Sequence, residues 1–166
     1  MCLVGMTGCA STGRLEIGGY KTSDGDPALR VGVSMGLGIG GAPSHHGGAA
    51  LPAGTTFTRS LTQSIGYRRA RDSSLTTTTR YLQRAGPLFV SGAIDVDRDG
   101  VELVPTLLVP LHHTVTYGTY QQSIVGSVVY ALGLQVRVGR RDGALATGVD
   151  LVLGFDGYSS RTPSVF

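Results

Sequence analysis

The chain is 166 residues long, which is room for one domain with a core of its own. Charged residues make up only 15% of it, which excludes a disordered polyelectrolyte, and its 26 glycines are about twice the ordinary usage of ~7%. The formal charge of +3 is carried almost wholly by arginine, and it lacks the concentrated basic face with interleaved aromatics that nucleic-acid binding requires.

The two cysteines, Cys2 and Cys9, both lie in the first ten residues, so the body of the chain has neither a disulfide framework nor a cysteine metal site. Apolar and small residues run from Leu3 through Val4, Gly5, Met6 and Thr7 to Gly8-Cys9, and Ala10-Ser11-Thr12 follow as small residues. This segment resembles the end of a bacterial lipoprotein signal peptide. The resemblance implies that Cys9 is acylated and becomes the mature N-terminus. Residues 1–12 are then a signal-like segment, 13–166 a single barrel domain, and the protein is exported. Met6 stands where leucine is usual and no basic stretch precedes it, so the reading frame is expected to extend upstream. The other reading is a short apolar tail with a Cys2–Cys9 bridge or two free thiols.

Leu15-Glu16-Ile17 starts a short strand, and Lys21 to Pro27 reads as a turn through Asp24-Gly25 and Asp26-Pro27. From Leu29 to Ile39 every odd position is a sizeable apolar residue, while the even ones after Arg30 are glycine or serine. Alternate side chains of a strand point to opposite faces, so this strand has one greasy face and one nearly bare one. Gly40 to Gly54, with His45 and His46, is the longest loop. Phe57 to Tyr67 is rich in Thr and Ser and reads as a strand, although Phe57, Leu61 and Ile65 also fit a helix face.

Leu75 to Gln83 and Leu88 to Val96 follow, separated by Arg84-Ala85-Gly86-Pro87. Asp97-Arg98-Asp99-Gly100 is a tight hairpin into Val101–Leu111, where Pro105 implies an edge or a bulge. A short aromatic segment, Val115–Tyr120, precedes Ile124–Val138 and Leu145–Phe155, which flank the Asp142-Gly143 turn. The fold class is therefore all-β: an antiparallel meander of about eight strands closing into a small barrel. The long crossovers of a parallel sheet are missing.

Function turns on which face is wet. Glycine on a strand's second face suits a narrow barrel interior better than a solvated surface. Eleven alternating positions in Leu29–Ile39 match the ~9–11 residues with which a tilted strand crosses hydrocarbon. Tyr67, Tyr81, Phe89, Tyr117, Tyr120 and Phe155 lie toward segment ends, as interfacial aromatics do, and the chain ends on Phe166. In these features the domain resembles small eight-stranded outer-membrane β-barrels. The resemblance implies an apolar face against lipid, membrane lipid or envelope components as partners, and an outer-membrane or periplasmic location. Arg59 and Gln63, on the apolar face of their strand, and the short turns argue the other way. The alternative is a soluble, lipid-anchored barrel or sandwich holding an apolar ligand in its core.

Candidate chemistry is sparse. Asp95, Asp97, Asp99 and Gly100 match the first half of a calcium loop, but Glu102 and Thr106 do not complete it. His45-His46 and His112-His113 are adjacent pairs, and one of each could converge on a metal. An envelope hydrolase would use His112 or His113 to activate Ser123 or water, with Asp150 as orienter, as in the outer-membrane lipid A-modifying barrels it would then resemble. The clusters Arg68, Arg69, Arg71 and Arg137, Arg140, Arg141 read as solvated hairpin ends. Arg137 and Asp150 fall on the same polar face, in diagonal reach at best, with Val138 pairing near Leu145. The expectation is a non-enzymatic envelope barrel with a structural or interaction role and no cofactor beyond the calcium candidate. Its oligomeric state is open.

Overall fold

The computed structural model describes residues 8–41, 59–69, 73–117 and 123–162. They form eight strands: β1 Gly8–Thr22, β2 Ala28–Gly41, β3 Arg59–Arg69, β4 Ser73–Ala85, β5 Leu88–Asp97, β6 Gly100–Tyr117, β7 Ser123–Arg141 and β8 Ala144–Thr162. Each strand pairs antiparallel with its sequence neighbours, and β1 pairs with β8 to close the barrel. Closure removes the free edges that an open sheet of this length would present.

Local chemistry sets the turns. Arg141 pairs with Ala144 across Asp142-Gly143, both at positive φ (50° and 83°), the two-residue geometry that Asp-Gly favours. This turn puts Val138 opposite Thr147, not Leu145, so Arg137 and Asp150 stand two residues apart. At the β5–β6 hairpin the Asp97 carboxylate accepts from the backbone N–H of both Asp99 and Gly100 at 3.0 Å.

Three elements differ from the sequence reading. Gly8–Thr12, read as part of a separate leading segment, lie within β1, where Cys9 pairs with Ile39 and Ser159. That stretch lacks large alternating residues because the neighbouring strand supplies the cover. A Cβ on Gly13 would meet the Phe155 ring. Pro105 marks neither an edge nor a bulge. It faces outward, the β6–β7 pairing lapses between Leu103 and Thr106, and the register resumes unchanged. The bulge comes later, between Pro110 and His112.

The bare face of β2 is explained by close approach. A Cβ on Gly38 would lie 2.7 Å from the Thr62 Cα, and one on Gly36 2.5 Å from the Ser64 Oγ. Gly19, by contrast, has nothing within 4 Å. Gly38→Ala is therefore expected to destabilise the fold by about 1–3 kcal/mol, as overpacking does, and Gly19→Ala by less than about 0.5 kcal/mol. Urea titration of the two variants side by side measures the difference, and equal costs would refute this role for Gly38.

Candidate functional site

The alternation resolves into an apolar outer wall and a polar lumen. Thirty large apolar side chains of the described residues are exposed on the outside, among them Leu29, Met35, Ile65, Leu75, Leu134 and Leu153. Among the described residues only eleven apolar ones are buried, four of them alanines. Every exposed charge on a described strand lies near a strand end: Lys21, Arg69, Arg84 and Arg140. Arg59, which the sequence set against lipid contact, is the first residue of β3 and sits at the rim.

The lumen has two layers. Toward the end at which β1 begins and β8 ends, Leu82, Phe89, Leu108, Val129, Ala131, Val152 and Tyr158 form a small apolar cluster. Phe89 is thus an interior residue and not an interfacial aromatic, because β5 places its odd positions inward. Beside this cluster Arg14 donates to Asp156 at 2.5 Å and to the Phe155 carbonyl at 2.9 Å.

The second layer is ionic, and it corrects the reading of the arginine clusters. Arg68, Arg137 and Arg141 are buried in the lumen, while Arg69 and Arg140 are exposed; Arg71 lies outside the described residues. Arg137 is the hub. It donates to Asp95, to Glu16, to Glu102 at 3.3 Å, and through Nε to Asp150 at 2.8 Å. Asp150 also accepts from Arg30, from Nη2 at 2.7 and 2.6 Å on its two oxygens and from Nε at 3.2 Å, and from Gln135 at 2.9 Å. Arg68 reaches Asp95 at 2.5 Å, and Arg141 reaches Asp97 and, at 3.4 Å, Asp99. The Tyr20 ring lies under both Arg30 and Arg141, each 5.6 Å from its centroid.

Counted by sign, the lumen is balanced. Arg14, Arg30, Arg68, Arg80, Arg137 and Arg141 face Glu16, Asp95, Asp97, Glu102, Asp150 and Asp156, and all eight strands contribute at least one of them. Burying a charge without a partner is costly, so most of these groups are closely paired; the loosest is Arg80, buried 4.0 Å from Glu16. The cavity between Glu16, Gly32, Ser34, Arg68, Thr76 and Thr78 is about 10 Å³, room for roughly one water. Charged groups therefore fill the place where the soluble alternative needs an apolar chamber.

The other candidates are scattered by this arrangement. Asp95 and Asp97 are held by arginines in the lumen, and Asp99 lies in the hairpin with Arg98 at 2.9 Å. Among the described residues no three His, Cys, Asp or Glu side chains are placed to hold a metal ion. His112 is exposed on the outer wall, hydrogen-bonded to Thr114 at 3.1 Å and 6.4 Å from the Tyr130 ring. Asp150 is on the opposite face of that wall, so the two do not form a catalytic pair. His45, His46 and the side chains of His113 and Ser123 lie outside the described residues. The Cys9 thiol is exposed on the outer face of β1.

The sequence reading found Arg137 and Asp150 but missed Glu16, Arg30, Arg68 and Glu102. A signal was there. Glu16, Arg30, Asp95, Glu102 and Asp150 are each flanked on both sides by apolar residues on strands whose apolar row faces out, which sends the charge inward. No protein-family model matches this chain, and no curated protein matches its sequence.

Proposed function

We propose that this chain is a non-enzymatic outer-membrane β-barrel of the bacterial cell envelope with a structural or interaction role, embedded in lipid through its outer wall. The observation that carries the reading is the inversion of the barrel, apolar outside and ionic within. A soluble monomer rarely exposes an apolar patch beyond a few hundred Å². Here the apolar rows of β2, β6, β7 and β8 run for most of each strand, with exposed charges confined to the strand ends. A barrel in hydrocarbon needs this arrangement, because its backbone is satisfied by closure and its charges must face the interior.

A structural role follows from the filled lumen. A solute crossing it would have to part Arg137 from four carboxylates at once, and the apolar cluster closes the end beyond. Cys9 belongs to the same proposal. Its thiol faces outward beside Ile39, so acyl chains attached there would lie along the apolar belt.

Expression of the native gene in a bacterial host tests both parts. The expected product resides in the outer membrane, needs micelles to stay folded, shifts its gel mobility on heating, and carries lipid on Cys9 by mass spectrometry. A chain that remains monomeric and folded in plain buffer would sink the membrane reading. An unmodified Met1 start would remove the lipid and leave the barrel.

A further inference from the structure

The outer wall is not uniformly apolar: Cys9 and Ser11 face outward on β1 and His112 and Thr114 on β6, and a longer polar seam runs along β3 and β4. Around β2, β6, β7 and β8 the outward positions are Leu, Val, Ile, Met and a few aromatic residues with little interruption. On β3 and β4 they include Gln63, Thr77, Thr79 and Gln83, all exposed. Gln63 stands directly opposite Thr79, whose hydroxyl donates to the Gln63 Oε1 at 2.7 Å, and the Tyr81 hydroxyl donates to Gln83 at 3.3 Å. These bonds use the acceptor side of both glutamines, and among the described residues no acceptor is placed against their amide N–H groups.

Beside this seam the wall is dented. Gly92 is exposed with nothing within 4 Å of where its Cβ would stand. Tyr81 and Pro105 pair on either side of it, and Leu61, Ile94 and Leu103 complete a groove of about 360 Å³. A small residue in a membrane-facing wall lets a second backbone come close, and amide groups in hydrocarbon drive association because lipid offers them no partner.

The geometry points to a second copy of this chain as the occupant, docked through the outer face of β3–β5 with Gln63 and Thr79 at its centre. This rests on the membrane reading above. Acyl chains cannot meet the amide donors, whereas an identical seam brings both donors and acceptors. A two-fold axis parallel to the barrel axis keeps both copies inserted in the same sense and sets Gln63 against its symmetry mate. The Gly92 dent then receives bulky side chains of the facing wall.

Sedimentation equilibrium of the whole chain in density-matched micelles is the test, with heat-modifiable mobility reporting insertion and folding for every variant. The wild-type chain is expected to be dimeric. Gln63→Leu and Gly92→Leu are each expected to weaken the dimer at least tenfold while keeping the mobility shift. Leu153→Phe, on the far wall, is expected to leave it unchanged. An inserted, folded wild type that sediments as a monomer overturns the docking surface alone, as does a dimer indifferent to both variants. A wild type that never takes up micelles overturns the membrane reading, and the dimer with it.

Discussion

Asp150→Ala is expected to cost about 3–5 kcal/mol of folding stability, the range for removing one partner of a buried ion pair. Among the described residues Asp150 is the one carboxylate within hydrogen-bond distance of Arg30, and Glu102 stands 3.9 Å away. It also holds the Nε of Arg137. Alanine would therefore leave one guanidinium without a close counter-charge and loosen the hub in an interior shielded from bulk water. Asp24→Ala, in the exposed β1–β2 turn, should stay within about 0.5 kcal/mol. Urea titration of both variants, refolded in micelles and followed by gel mobility, gives the comparison. A cost below about 1 kcal/mol for Asp150→Ala is what a solvated pair would produce, and it would refute the dry lumen.

The fold was legible where one physical rule acted alone. In β2, in Val128–Val138 of β7 and in Val149–Leu153 of β8 the period of two is unbroken, because one face there must be large and apolar, and strands stand where the alternation places them, although β8 runs on past Phe155 to Thr162. β1 was under-read because its first half carries Cys9, Ser11 and Gly13 outward, residues whose smallness makes sense only once Phe155 is seen to lie over Gly13. The bulge after Pro110 was invisible for a related reason: His112 turns outward through pairing with Tyr130 on another strand.

The lumen was half legible. Apolar neighbours on both sides say that a charge such as Glu16 points away from the greasy row, and that inference needs no partner. Naming the partner needs closure. Arg30 and Asp150 are 120 residues apart, and Glu16 and Arg137 are 121 apart. They meet only because β1 seals against β8. The same limit explains why Arg68 and Arg141 looked like hairpin-end solvent groups. Their neighbours Arg69 and Arg140 are, and adjacent positions differ only by the strand's phase.

Leu134→Arg separates lipid from water as the medium of the outer wall. Leu134 sits mid-strand on β7, between Leu107 and Leu151 on the adjoining strands, and it is 58% exposed. On a solvated surface arginine there would change stability by no more than about 0.5 kcal/mol. In a bilayer the same substitution puts a guanidinium near the midplane and is expected to cost about 2–4 kcal/mol. Leu29, 67% exposed at the start of β2, lies at the rim, where an arginine in a bilayer costs only about 0–1 kcal/mol. The two variants therefore measure a gradient: a steep fall from mid-strand to rim in lipid, and a flat profile in water. Equilibrium unfolding in phospholipid vesicles reads it directly, and two equal, small costs would refute a wall embedded in hydrocarbon. The readout does not depend on the lumen, so it stands even if Asp150 proves dispensable. It asks only which solvent the thirty exposed apolar side chains were selected to meet.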